Sequence, residues 1–513
     1  MTGPVWIAAI PEKAPAEGPL RGLTFAIKDN IDYGGVPTTA GCPAFAYTPA
    51  VSAPVVTMFE EAGAKAVGKT NLDQFATGLV GVRSPYGACA SVFDAAYISG
   101  GSSSGSAVAV ASGQVDFSLG TDTAGSGRVP AAFNNIYGLK PTKGVLSTAG
   151  VVPACASLDC VSIFTRDVRT AQRVFAVARA REAVPAFANG SFRFGVPRAE
   201  QLEFFGDNEA AALFAGAVEK LTMAGGVAVE FDYAPFREAA QLLYSGPWVG
   251  ERYVAVGGFL EGHPDDAHPV VKNIILGGKN YTAADTFRAM YKLEELKART
   301  LDTWAAVDVL LLPTTGTTYK ISEVEAEPVK LNTNLGYYTN FVNLLDLAAL
   351  AIPAGFRPNG LPFGVSLIGR ANSDWALLDL AARLEETRVT VVGAHLSGQP
   401  LNKQLTERGA RLLKTCKTAS EYRLYALANT TPPKPGLVRE PGFSGPGIAV
   451  EVWGMPTRHL GSFLTLIPPP LGLGSVTLDD GTTATGFLCE PAGLQGAKEI
   501  TALGGWRNYL AKK

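Results

Sequence analysis

The chain has 513 residues, and a length of this order predicts roughly two to four domains instead of one core. With 47% hydrophobic and 18% charged residues, it belongs with well-buried globular proteins and not with disordered ones. Its 44 Lys and Arg against 46 Asp and Glu leave a net charge of −2, so no overall field recruits nucleic acid or an anionic membrane.

Six cysteines (Cys42, Cys89, Cys155, Cys160, Cys416 and Cys489) fall without a C-x-x-C pair, and reduced thiols in a cytoplasmic protein are expected. The four histidines, His263, His268, His395 and His459, sit in no H-E-x-x-H pattern. A zinc hydrolase is therefore disfavoured, and neither a metal nor a cofactor is expected. The apolar patch in "MTGPVWIAAIPEK" is too short for a membrane span and has no basic residues before it. No later apolar run of membrane length is free of charge or proline, so no membrane association is expected.

In chain order, residues 20–144 alternate short apolar runs with Gly, Pro and Asn. "LTFAIKDNID" reads as a strand leaving a buried sheet, and "VVTMFEEAGAKAVGKTN" as a helix followed by a strand. This predicts an α/β layer structure around a mixed sheet. The stretch "GKTNLDQFATG" lacks P-loop spacing and reads as scaffold. Next comes "ISGGSSSGSAVAVASG", whose hydroxyl-rich first half runs straight into an apolar second half. A linker needs solvent on both sides, and this segment has it on neither.

Hydrolysis of an amide needs a nucleophile, a proton shuttle and donors for an oxyanion. Three early segments offer these without histidine. Lys28 ends an apolar strand, where desolvation can leave a neutral amine able to act as a base. Ser102 follows Gly100 and Gly101, which leave room for a cis Gly101–Ser102 peptide. Ser126 lies in "GTDTAGSGRVPAAFNNIYGLKPT", a small-residue turn whose backbone N–H groups can form an anion nest. Asp122 and Arg128 in the same turn read as a structural pair beneath the loop.

A second α/β stretch runs from "FRFGVPRAE" through "DVLLLPTTG" to "LPFGVSLIGR", with helical "AADTFRAMYKLEELKARTLDTWAAV" between. Within it, "LLYSGPWVGERYVAVGGFL" carries Arg252 beside Glu251, with Tyr244 eight positions earlier. Two readings stand open. Arg252 grips a planar carboxylate with Tyr244 adding a hydroxyl, or Glu251 and Arg252 are an ordinary helical charge pair. Tyr337 and Asn340 in "LGYYTNFVNLL" are weighed between pocket and core. The charged piece "NKQLTERGARLLKTCKTAS" reads as a linker helix over 403–420, between a domain over 1–402 and a small β-rich module over 421–513. In that module an Asp-Asp-Gly turn between apolar runs signals a hairpin, and its one histidine, His459, reads as a surface residue.

G-G-S-S-S-G-S-A, then G-T-D-T-A-G-S-G-R-x-P-A, then Y-G-L-K-P-T together resemble the amidase signature family. The resemblance implies a mixed β-sheet flanked by helices and a Ser–cisSer–Lys triad. Ser126 would be the nucleophile, Ser102 the bridging serine 24 positions before it, and Lys28 the base. The backbone of Thr123, Ala124, Gly125 and Ser126 would form the oxyanion hole. Family members carry a helical segment before the lysine, whereas Lys28 arrives almost at once here, so part of the N-terminal face is expected to be missing.

"YSGPWVGERY", "LGYYTNFVNLLDLAALAIPAGF" and the tail "GFLCEPAGLQGAKEITALGGWRNYL" resemble one branch, the allophanate hydrolases. That branch implies a small β-rich α+β C-terminal domain that assists a decarboxylation, and a substrate carboxylate held by Tyr244 and Arg252. It also implies release of ammonia and N-carboxycarbamate from allophanate, then decarboxylation, in urea or s-triazine breakdown. A homodimer, associated with other enzymes of the same pathway, is the expected assembly. The alternatives are a general small-amide amidase and a non-catalytic partner subunit.

Overall fold

Continuous buried runs such as Phe117–Asp122, Cys160–Thr165 and Pro362–Gly369 expose no face to solvent, and strands of that kind form the middle of a sheet covered on both sides. The computed structural model describes residues 4–180 and 191–512. The chain divides into two compact units between Ala382 and Arg383.

The first unit is built on an 11-stranded mixed sheet flanked by helices. Its strand order is Trp6–Ala9, Lys65–Thr70, Thr24–Lys28, Phe117–Asp122, Cys160–Thr165, Tyr137–Lys140, Ala348–Phe356, Pro362–Gly369, Val309–Pro313, Phe192–Pro197 and Gly226–Phe231. Thr24–Lys28 runs parallel to both neighbours, with Phe25 opposite Phe117 and Lys28 opposite Thr70. Two parallel strands therefore end side by side, at Lys28 and at Asp122. The carboxyl ends of parallel strands are where α/β sheets place their sites.

Helix Ser104–Ala111 packs against this part of the sheet. Buried serines before and within it find hydrogen-bond partners: Ser103 donates to Thr121 O at 3.1 Å and Ser106 to Leu119 O at 3.0 Å. Satisfied in this way, hydroxyls cost little in a core. The hydroxyl-rich run is thus a buried loop that leads into a helix.

The second unit has a five-stranded sheet in the order Arg411–Lys417, Ala449–Pro456, Glu386–Val391, Thr483–Cys489, Leu471–Thr477, and a three-stranded sheet of Pro435–Arg439, Tyr422–Ala426 and Lys498–Glu499. Val389, Val450, Val452, Met455, Phe463 and Leu437 are among the side chains of its core. The Asp-Asp-Gly hairpin is present: Thr477 pairs with Thr483, and Gly481 takes φ +79° in the turn.

The domain expectation needs two corrections. Glu386–Val391 pairs with Ala449–Pro456, so the second unit starts well before residue 403. The piece 403–420 is no linker helix. Helix Lys403–Thr406 stops, Gly409 adopts φ +70°, and Arg411–Lys417 joins the sheet edge. Its charges suit an exposed edge strand as well as they suit a helix face. Among the described residues, no helix is long and apolar enough to cross a membrane.

Candidate active site

Lys28, the last residue of its strand, is fully buried. Its Nζ hydrogen-bonds Ser102 Oγ at 2.8 Å and Thr121 Oγ1 at 2.7 Å. Ser102 Oγ in turn lies 2.9 Å from Ser126 Oγ. The Gly101–Ser102 peptide is cis. Burial pushes the Lys28 amine down to about 7, with Arg252 adding to the effect and Asp73, Asp159 and Asp122 opposing it. Desolvation disfavours the charged form of an amine, and here it outweighs three carboxylates. An amine of this kind is partly neutral near pH 7 and can take a proton from a hydroxyl.

The turn carrying Ser126 is organised by Asp122. Its carboxylate accepts from Gly125 N at 2.8 Å and Gly127 N at 3.0 Å, and pairs with Arg128 through Nε and Nη2, both at 2.9 Å. Arg128 also donates to Thr339 O and Asn343 Oδ1, each at 3.1 Å. Burial acts to raise the Asp122 pKa, but the Arg128 guanidinium and the other donors more than offset it and hold the carboxyl below its usual range. The pair is the structural one expected beneath the loop. Of the four backbone groups expected to form the oxyanion hole, the Gly125 N–H donates to Asp122 in this structure. Gly125 cannot carry a side chain, because its φ is +137° and a Cβ would lie 2.4 Å from Thr339 Oγ1.

Arg252 lies in helix Trp248–Gly262 and is 2% exposed. Nη1 donates to Thr77 Oγ1 at 2.8 Å, and the guanidinium sits 5.6 Å from the centre of the Tyr244 ring. Among the described residues no carboxylate pairs with it. Its neighbour Glu251 instead accepts from Ser157 N at 2.8 Å and from the Ser157 hydroxyl. The helical charge pair between Glu251 and Arg252 is therefore absent. Thr77 holds Arg252, and the carbonyl of the next residue, Gly78, lies 3.5 Å from Ser126 Oγ. A buried arginine with unused donors thus stands one residue away from the surroundings of Ser126. Burying that charge is costly unless a partner answers it.

Other candidates separate cleanly. Tyr337 packs among Tyr233, Tyr338 and Phe205, a core position. His459 lies at the partly exposed end of a short 3-10 turn. It is not the second unit's one histidine. Because that unit begins at Arg383, it also contains His395, stacked on Phe487 at 5.0 Å with Nε2 2.9 Å from Gln404 Oε1. Sequence reasoning also misses Asp73, Thr77, Thr121 and Asp159. Asp73 and Thr77 sit in a segment whose sequence reads as scaffold, Thr121 lies in the Ser126 turn motif with no role of its own signalled there, and only the fold brings these residues and Asp159 to Lys28, Arg252 or Thr123.

The Amidase family model matches residues 6–378, and the Allophanate hydrolase C-terminal domain model matches 387–511. The chain belongs to the amidase family and is an amidase-family hydrolase. It is 42% identical to the Kluyveromyces lactis allophanate hydrolase, over 99% of this chain and 94% of that one, with a TM-score of 0.71. It is 44% identical to the urea amidolyase of Saccharomyces cerevisiae over 96% of this chain, but spans only 30% of that protein's length. A solved amidase is 30% identical over 71% of this chain and 84% of its own, with a TM-score of 0.63.

Proposed function

We propose that the chain hydrolyses allophanate, with Ser126 as nucleophile, Ser102 as bridging serine and Lys28 as base. The observation that carries this reading is the pairing of a buried Lys28–Ser102–Ser126 chain with a buried Arg252 to which, among the described residues, no carboxylate is directly paired. A substrate needing both is a short amide bearing a carboxylate, and the guanidinium fork suits that anion.

Ser126 Oγ attacks the terminal amide carbonyl while its proton passes through Ser102 to neutral Lys28. Backbone N–H groups of Thr123, Ala124 and Ser126 receive the oxyanion. The proton returns by the same route to the leaving nitrogen, ammonia departs, and an acyl-enzyme remains. Water then attacks, activated by the same relay, and frees N-carboxycarbamate. Protonation of that nitrogen and cleavage of each C–N bond gives, from allophanate, water and one proton, two ammonia and two carbon dioxide. Arg252, with the Tyr244 hydroxyl, holds the carboxylate throughout.

The decarboxylation is assigned to the second unit. A small cavity there is lined by His395, Lys434, Leu401, Pro468 and Phe487, and burial lowers the His395 pKa. A cytoplasmic homodimer completes the proposal. All six cysteines are free thiols, which suits a reducing compartment. Matching 30% of a urea amidolyase supports working beside other enzymes of the same pathway.

Ammonia release from allophanate and from malonamate is the test. Inactivity on both, with turnover of neutral aryl amides, would reject the substrate in favour of a general amidase. A wild type that releases ammonia from no amide would leave the non-catalytic reading in its place, whereas a Ser126→Ala variant with full turnover would remove Ser126 as the nucleophile.

A further inference from the structure

The turn over 154–159 touches both halves of the site. At one end Asp159, 5% exposed, accepts from Thr123 Oγ1 at 2.5 Å with Oδ1, and from Ala154 N at 2.9 Å and Cys155 N at 3.1 Å with Oδ2. The carboxylate thus ties the turn to itself and to the residue that opens the oxyanion loop. At the other end, Cys155 Sγ lies 3.7 Å from the carbonyl of Trp248, the first residue of the Arg252 helix. Ser157 N and its hydroxyl both bind the carboxylate of Glu251, one residue before Arg252. Neither Asp159 nor Glu251 hydrogen-bonds the Lys28–Ser102–Ser126 chain, and although the Asp159 charge acts on Lys28, the triad chemistry does not account for the bonds the two make to this turn.

We propose that this turn is a spacer that sets the distance between the oxyanion donors and the Arg252 guanidinium, and so selects the length of the amide acid, with Glu251 and Asp159 as positioning residues. The inference rests on the carboxylate-amide reading above. Allophanate and malonamate place the carboxylate one atom beyond the amide carbon; succinamate places it one atom further. A rigid spacer rejects the longer acid because its carboxylate and its carbonyl cannot both be seated. Displacements of about an ångström at such a site change rates by roughly 10²-fold.

The test compares kcat/KM for malonamate and succinamate in the full-length chain. Glu251→Ala frees the first turn of the helix from Ser157, and the malonamate preference is expected to fall about tenfold, mainly through KM. Glu251→Gln keeps an acceptor for Ser157 N and should restore the preference. Thr123→Val removes the side-chain bond to Asp159 but keeps the backbone donor, and as the other end of the spacer it should likewise lower the malonamate preference. General loosening of the fold would move both acids together and would not be rescued by glutamine. An unchanged preference in Glu251→Ala, with the wild type active, overturns the spacer alone. A wild type inactive on both acids overturns the carboxylate-amide reading and the spacer with it.

Discussion

The carboxylate of Asp73 occupies the place where a side chain on Gly101 would be: a Cβ there would lie 2.1 Å from Asp73 Oδ2. The same oxygen accepts from Val80 N at 3.1 Å and Gly81 N at 3.0 Å, while the Asp73 N–H donates to Ser102 O at 3.1 Å. The bridging serine and the loop carrying Thr77 and Gly78 are therefore one bonded piece. Arg252 reaches that piece through Thr77 and the nucleophile borders it at Gly78, which explains how a glycine-rich loop can be held firmly enough for catalysis.

Gly101→Ala should damage both stability and turnover. The added methyl meets Asp73 Oδ2 and also Gly81 N at 2.6 Å, and overpacking of a rigid core costs about 1–3 kcal/mol. Thermal unfolding should shift down, and ammonia release should fall by roughly 10²-fold as Ser102 moves. A variant with wild-type turnover would show that Ser102 does not need its present position.

The pH profile should report Lys28. With its amine near 7, kcat/KM should rise through about pH 7 as the proton is lost and level off above it. Lys28→Met should be inactive at every pH. It should also be more stable than the wild type, because the folded-state pKa is depressed below the ordinary 10.5. The wild type carries the full cost of a buried cation below about pH 7, and that cost shrinks as pH rises towards 10.5. The stability gap between the two proteins, followed by chemical denaturation, should therefore narrow with rising pH.

Arg252→Lys keeps the charge and loses the fork. KM for malonamate should rise about tenfold or more with a smaller change in kcat, since a single ammonium cannot pair with both carboxylate oxygens and with Thr77 together. Steady-state kinetics on malonamate and on a neutral amide separate this from general damage, because the neutral amide should be unaffected in KM.

Arg128→Met leaves Asp122 buried without its guanidinium. Breaking a buried pair in this way costs about 3–5 kcal/mol, and denaturant titration should show a loss of that size. A variant as stable as the wild type would mean that the bonds from Gly125 and Gly127 alone satisfy the carboxylate.

Ser126→Ala should abolish ammonia release while leaving malonate binding by calorimetry close to wild type, because Arg252 and Tyr244 are untouched. Ser102→Ala should be nearly as inactive, since the relay from Ser126 to Lys28 passes through its hydroxyl.

Local sequence determined much of this protein. Short apolar runs pointed to buried strands, the Asp-Asp-Gly turn dictated its hairpin, and the motifs carrying Ser102 and Ser126 pointed to the amidase family. Such features depend on chain neighbours, which a linear reading sees directly. Tertiary structure decided what depends on partners far apart in the chain. Glu386–Val391 belongs to the second unit because its hydrogen bonds go to Ala449–Pro456, and a charged run over 403–420 became partly an edge strand for the same reason. Arg252 is a candidate substrate ligand and not half of a helical ion pair because Glu251 found Ser157 and Arg252 found Thr77. The amine of Lys28 is weakly basic only because the folded core strips it of water, and desolvation is a property of the surroundings that no single segment contains.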